Sequence, residues 1–495
     1  MIWLCDKIDC AQRFLGIRIY AGLMSAAVRF MPTLSHFFRK YSIAAMQTLL
    51  ICTLLTSCAS LPDIRYLDSS VADNTAPVVK TGQGNLSEKK AHSLLSKRLR
   101  DSRTDLQELI KLEEIATGNP LIAGNKIKLL FDGPQTMQAM MDAIRGAKNH
   151  VNLETYIFDQ DELGMRFADL LIEKQRAGVQ VNIIYDSIGT LGVPAEFFEK
   201  MRAAGISLTE FNPVNPLKRF GYWRLNKRDH RKILVVDGRI GFTGGVNIAK
   251  DYARSSLFRS RGKANAELGW RDTHIQIEGP AVASLQWLFL DAWTKQRAED
   301  LTDREYFPPL PAAGNELVRV IASEPGSDHE IYKAYVLAMQ QAKKSIHITV
   351  AYFVPDVLVI KALTDAAQRG VDVSIIFPSI SDAGLVFHAA RSFYSELLAA
   401  GVKIHEFQSS VLHAKTAVID NGWSTVGSAN LDLRSFLHNT EVNVVVLGEE
   451  FANRMEAAFQ EDLKNSVPIT PEAWEGRPFL DRLKETAARS FEYWL

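Results

Sequence analysis

HRKILVVDGRIGFTGGVN (His230–Asn247) and HAKTAVIDNGWSTVGSAN (His413–Asn430) decide the reading of this 495-residue chain. Each opens on the spacing H-x-K-x-x-x-x-D, with His230, Lys232 and Asp237 in the first and His413, Lys415 and Asp420 in the second. A Gly244-Gly245 or Gly427-Ser428 pair follows, then Asn247 or Asn430 at the same distance from its histidine. One such spacing is weak; two in matching register are specific. In a strand, residues i and i+2 project from the same face, so each histidine and lysine can meet one cluster of ligand oxygens. The apolar neighbours Ile233, Val235, Val236 and Ala417, Val418, Ile419 would anchor these strands in a core. Asp237-Gly238 and Asp420-Asn421-Gly422 also read as the following hairpin turn, so a structural role for both aspartates competes with a catalytic one.

Working outward, the segments that precede the two motifs correspond in order and character. AKNHVNLETYIF (Ala147–Phe158), RAGVQVNIIYD (Arg176–Asp186) and RAAGISLTEFNP (Arg202–Pro213) lead to the first motif. AKKSIHITVAYF (Ala342–Phe353), QRGVDVSIIFP (Gln368–Pro378) and LAAGVKIHEFQ (Leu398–Gln408) lead to the second. Such a repeat fixes the architecture. The units read as helix, glycine turn at Gly178 or Gly370, and short β-branched strand, which predicts an α/β sheet covered on both faces. Each half holds one histidine of the pair, so the site should straddle their interface.

Cleavage of a phosphodiester needs a nucleophile, a proton donor for the leaving oxygen, and cations against the charge on phosphorus. Two histidines, two lysines and two asparagines supply that set without a metal or cofactor. Gly245 and Ser428, in the small-residue pairs, would let backbone approach a phosphate closely. An imidazole also needs an acceptor to hold its tautomer. SFLHNTEVNVVVLG places Glu441 at the start of a buried strand, and RDTHIQIEGP places Asp272 before one. Taken each within its own half, Glu441 is expected to orient His413 and Asp272 to orient His230.

These motifs resemble the phospholipase D superfamily from about Asn125 to Asp462. Within it the nearest likeness is to bacterial cardiolipin synthases, carried by AKNHVNLETYIF, HRKILVVDGRIGFTGGVNIAKDY and GSANLDLRSFLHNTEVNVVV. The resemblance implies two phospholipase D-like halves, each a mixed β-sheet flanked by helices, with a shared active site. It also implies a phosphohistidine intermediate, with His230 favoured as nucleophile, and an acidic residue after each motif. The expected activity is transfer of a phosphatidyl group from one phosphatidylglycerol to the hydroxyl of another. A hydrolytic phospholipase D is the alternative, and a nuclease of the same superfamily the third.

Lys+Arg and Asp+Glu each number 57, so there is no bulk positive field to gather nucleic acid, and none is expected as a partner. All four cysteines end at Cys58, which excludes disulfides, thiolate ligands and a cysteine nucleophile from the rest. The apolar run Tyr41–Ser57 has the layout of a secretory signal, and Leu55-Thr56-Ser57-Cys58 resembles a bacterial lipobox, with Cys58 as the site of lipid attachment. A transmembrane anchor is the competing reading, although it normally needs about 20 apolar residues. The expected organisation is a signal or anchor over 1–57, a tether and leading helix over 58–124, and the two halves over 125–310 and 311–495. The partners expected are an anionic phospholipid and a membrane surface facing the periplasm, with the outer membrane favoured. Basic residues among aromatics from Lys218 to Arg228, and a flap around Leu257 and Phe258, are candidates for that surface.

Overall fold

A computed structural model describes residues 60–67, 76–99, 106–219, 225–253 and 269–495. The signal-like run, Cys58, the stretch Phe220–Arg224 and the flap around Leu257-Phe258 lie outside the described residues. The unit that carries both motifs runs from Pro62 to Leu495.

Seven strands form the sheet of the first half: β1 (Leu121–Leu130), β2 (His150–Thr155), β3 (Gln180–Asp186), β4 (Ser207–Phe211), β5 (Ile233–Val236), β6 (Ile240–Gly244) and β7 (His274–Glu278). The second has seven counterparts, β8 (Glu316–Ser323), β9 (Ser345–Val350), β10 (Asp372–Pro378), β11 (Lys403–Phe407), β12 (Lys415–Ile419), β13 (Trp423–Gly427) and β14 (Asn439–Leu447), and an added edge strand, Ser466–Ile469, antiparallel to β11. The first sheet runs β4-β3-β2-β5-β6-β7-β1, with β2, β3 and β4 parallel and the remainder antiparallel. The second repeats this as β11-β10-β9-β12-β13-β14-β8. Mixed pairing is what the duplicated pattern requires: helices between the first strands enforce parallel crossovers, and tight turns after each motif enforce antiparallel ones.

Those tight turns have the positive φ angles of a type I′ hairpin, at Asp237 (54°) and Gly238 (63°), and at Asp420 (53°) and Asn421 (50°). The helices Glu162–Arg176 and Val357–Gln368 stop at Gly178 and Gly370, whose φ values of 88° and 87° close matching C-terminal turns before β3 and β10. Helices Gly133–Gly146 and Glu162–Arg176 pack Met137, Ile144, Phe167 and Leu171 against Val151, Val181 and Ile183.

The halves meet through strands from both sheets. Ile233, Val235, Ile275 and Ile277 share one core with Val318, Val418, Val426, Val442 and Val444. β1 and β8 also pair antiparallel, Glu316 opposite Asn125 and Val318 opposite Ile122.

Two expectations change here. The boundary at residue 125 cuts through β1, and part of the supposed tether is sheet: Val79–Thr81 pairs with Gly84–Asn85 and, in parallel, with Leu121 and Ile122. The leading helix is described as two, Glu88–Arg98 and Leu106–Thr117. No helix among the described residues is long and apolar enough to cross a membrane.

Candidate active site

His230 and Lys232 both lie just before β5, and His413 just before β12, which opens on Lys415, so both histidines sit at the carboxyl ends of β2 and β9. The chain crosses between halves at that point. Arg228–Asp229 pairs in parallel with Asn439–Thr440, and His230 N donates to Thr440 O (2.9 Å). On the other side Arg271 bridges to Leu412, Arg271 N donates to Val411 O (2.9 Å), and His413 N donates to Arg271 O (2.7 Å). These pairings bring each histidine beside the carboxylate of the opposite half.

His230 Nδ1 lies 3.0 Å from both carboxylate oxygens of Glu441, and His413 Nδ1 lies 2.7 Å from Asp272 Oδ2. The expected assignment, Glu441 to His413 and Asp272 to His230, is therefore exchanged. Both carboxylates are fully buried. Since an ionised carboxylate only accepts, each Nδ1 carries the ring proton and each Nε2 keeps a lone pair.

Burial pushes His230 down to about 4; Glu441 partly offsets this, while Lys232 and Lys415 add to it. Burial likewise lowers His413, helped by Lys415 and Lys232 and opposed by Asp272. Each imidazole thus feels the lysine of the other motif, which is the electrostatic signature of one shared site. Burial also depresses both lysines, Lys232 to about 7. Burial alone would raise Asp272 and Glu441, but contacts with their histidines and nearby lysines outweigh it and hold both below their usual range.

Around this centre Lys232 Nζ donates to His230 O (2.6 Å) and Lys415 Nζ donates to His413 O. The Tyr156 ring stands edge-on to His230 at 5.1 Å and the Tyr352 ring edge-on to His413 at 6.1 Å. Tyr252 Oη and Lys415 Nζ each approach His413 Nδ1 at 3.1 Å, and Trp270 packs on the same ring at 5.3 Å. Sequence reasoning gave none of these aromatics a role. The available signal was an aromatic just after each β2-type strand, in ETYIF and VAYF.

Three further expectations are corrected. Asp237 accepts from the amides of Lys148 (2.8 Å), Asn149 (2.7 Å) and His150 (3.0 Å), and Asp420 does the same for Lys343, Lys344 and Ser345. Both lie at the far end of their strands, roughly 16 Å along the chain from the lysine at ~3.3 Å per residue, so they pin turns rather than meet substrate. Gly245 makes room for a carboxylate, not a phosphate, since a Cβ there would lie 2.1 Å from Asp272 Oδ1. Ser428 Oγ donates to Glu441 Oε2 (2.5 Å), and Asn439 Nδ2 to Oε1 (3.1 Å), so that serine also supports the carboxylate. Asn247 spends its amide on Tyr252 Oη (3.2 Å) and the Ile157 amide (3.3 Å). The Asn430 side-chain oxygen is buried with no hydrogen bond among the described residues.

Buried arginines fasten the crossings. Arg271 holds Asp462 through two bonds of 2.7 and 2.8 Å, and Arg231 donates to Glu441 O and to Glu324, both at 3.2 Å.

A duplicated mixed sheet whose halves exchange carboxylates across a two-histidine, two-lysine centre defines a phospholipase D-like protein. A family profile described as "Cardiolipin synthase, PLD-like domain" matches twice, over residues 140–267 and 335–463, and the chain belongs to that family. It is 35% identical to a cardiolipin synthase of Alkalihalophilus pseudofirmus over 86% of this chain and 82% of that protein. It is 37% identical to a cardiolipin synthase of Geobacillus thermodenitrificans, over 75% of this chain and 72% of the relative. The fold is also that of a phosphatidylserine synthase from Haemophilus influenzae, with a TM-score of 0.55 and 14% identity over 74% of this chain and 95% of that one.

Proposed function

We propose that this chain is a phosphatidyltransferase that joins two phosphatidylglycerol molecules into cardiolipin and releases glycerol. The observation that carries the reading is the crossed pair His230–Glu441 and His413–Asp272, two imidazoles with Nδ1 engaged and Nε2 free of a hydrogen bond among the described residues. In the first step His230 Nε2 attacks the phosphorus, the bond from phosphorus to the glycerol oxygen breaks, and protonated His413 gives that oxygen its proton. In the second, neutral His413 takes the proton of a hydroxyl on another phosphatidylglycerol. The resulting oxygen attacks phosphorus, and the P–N bond breaks to restore His230. Lys232 and Lys415 stand against the negative charge on the non-bridging oxygens, and Asp272 and Glu441 stabilise each imidazolium as it forms.

The same reading places the chain at a membrane, with Cys58 lipidated, the body facing the periplasm, and anionic phospholipid as its partner. Supporting it are the relatives' names and the signal-like run before Cys58. Labelled phosphatidylglycerol vesicles provide the test. The expected outcome is one cardiolipin and one glycerol for every two lipids consumed. Phosphatidic acid as the only product would replace the transferase with a hydrolase.

A further inference from the structure

The two halves place matching tyrosines at the centre and then treat them differently. Tyr156 and Tyr352 come just after β2 and β9, and each lies edge-on to the histidine of its own half. Each ring also stands beneath the lysine of the same motif, at 5.4 Å from Lys232 Nζ and 6.0 Å from Lys415 Nζ. The Tyr156 hydroxyl has no hydrogen bond among the described residues, whereas the Tyr352 hydroxyl donates to Asp382 Oδ1 at 2.6 Å. Asp382 lies in the loop after β10, four residues past Pro378. β3 and β10 end in register, Asp186 opposite Phe211 and Pro378 opposite Phe407. The corresponding residue of the first half is therefore Thr190, which is buried and donates to Asp186 O at 2.7 Å. Duplication supplies both tyrosines, and only the His413 side adds a carboxylate to its tyrosine.

Asp382 is exposed and has no ion pair among the described residues. Its Oδ1 accepts from Tyr352 and from Ser381 Oγ (3.4 Å), and its Oδ2 accepts from nothing there. The charge faces the centre: burial lowers Lys415, and Asp382 is one of the carboxylates that oppose this. A carboxylate without a cation repels a phosphodiester, so its place one tyrosine ring from His413 works against the anionic part of any substrate. What it favours is a neutral group rich in O–H donors, because an ionised carboxylate only accepts hydrogen bonds. In the proposed transfer a glycerol leaves past His413 and the glycerol of a second lipid arrives by the same side. Both carry hydroxyls beyond the reacting oxygen.

We propose that Asp382 is the residue that selects a polyol headgroup, its Oδ2 accepting from a hydroxyl of the departing glycerol and then from one of the incoming lipid. Tyr352 holds the carboxylate through Oδ1 and leaves Oδ2 to the substrate. Repulsion by the same carboxylate turns the phosphate toward Lys232 and Lys415, so the headgroup enters in one orientation. The choice of side rests on the proposed role of His413 as the acid that protonates the leaving oxygen.

The test uses the full chain and a competition between donors. Phosphatidylglycerol and phosphatidylpropanol, alike in acyl chains and charge, are mixed in equal amounts in neutral detergent micelles. Early release of glycerol and of propanol gives the ratio of the two kcat/KM values. That ratio does not depend on total activity, so general damage to the loop lowers both releases together and leaves it unmoved. The parent should release glycerol at least about tenfold faster than propanol, the scale of one charge-assisted hydrogen bond, and Asp382→Ala should bring the ratio to within about threefold of unity. An unchanged ratio in Asp382→Ala overturns the proposal. So does a parent that, offered phosphatidylethanolamine in place of phosphatidylpropanol, releases ethanolamine faster than glycerol, since the carboxylate would then serve an ammonium group. A parent that yields only phosphatidic acid, yet loses its preference for phosphatidylglycerol in Asp382→Ala, gives up the transferase reading and keeps the polyol site.

Discussion

Replacing Glu441 by Gln should slow formation of the covalent intermediate about 10²–10³-fold without disturbing His413. The magnitude follows from the contact. His230 Nδ1 is 3.0 Å from both carboxylate oxygens, so the charge centres of the pair are some 4 Å apart. At an effective dielectric near 20, opposite charges at about 4 Å attract by about 4 kcal/mol, and each 1.36 kcal/mol is a factor of ten in rate. An amide cannot replace this. With its NH2 toward Nδ1 it forces the ring proton onto Nε2 and removes the attacking lone pair. With its oxygen toward Nδ1, its NH2 is left against the Ser428 hydroxyl, which already accepts from the Val442 amide (3.0 Å). Some of the 4 kcal/mol is recovered by relaxation and water, which leaves about 3–4 kcal/mol. Rapid-quench trapping of labelled phosphatidylglycerol gives the rate, and ¹⁵N spectra of the two histidine rings give the site of the change. A rate within fivefold of the parent, or a perturbed His413 ring beside an unchanged His230, would refute the crossed arrangement.

Other outcomes follow from the same geometry. His230→Ala and His413→Ala should each abolish turnover with circular dichroism unchanged, because the two roles are not redundant; full activity in either would break the shared-site scheme. Asp237→Asn should lose the bond to the Lys148 amide, at a cost of about 1.5–3 kcal/mol for a charge-assisted bond, and lower the melting temperature by a few degrees while kcat stays within about threefold. A collapse of kcat in a fully folded protein would return that aspartate to the chemistry. For kcat/KM, protonation of His230 removes the nucleophile below about 4, and His413, which burial holds below its ordinary value, loses the proton it must donate before Lys232 loses its charge near 7, so the profile should be bell-shaped with its optimum on the acid side of neutrality. An optimum above pH 8 would contradict it. Turnover should survive chelation, since the lysines already face the phosphoryl charge; loss with EDTA and rescue by a divalent ion would count against this.

The sequence by itself determined the duplicated α/β plan, the apolar strand that follows each histidine, and the buried positions of Glu441 and Asp272. Those are local properties: a two-residue period, glycine at helix ends, and a carboxylate at the start of an apolar strand. The shared strand face expected for histidine and lysine is not formed, since both histidines and Lys232 precede their strands. Turn chemistry at Asp237 and Asp420 was equally local and competed with a catalytic reading, and three backbone amides on each carboxylate decide for the turn. Gly245 and Ser428 were legible as small residues near the motif, but a missing Cβ serves whichever group approaches it, and here that group is a carboxylate. The partnership of histidine and acid was beyond any local pattern. It is set by backbone pairing of Arg228–Asp229 with Asn439–Thr440 and of Arg271 with Leu412, contacts between distant segments that form only when the halves pack through their shared valine and isoleucine core. Sequence proximity favours an acid from the same half; the tertiary structure supplies the one from the other half, because the strand crossing places that carboxylate against each imidazole.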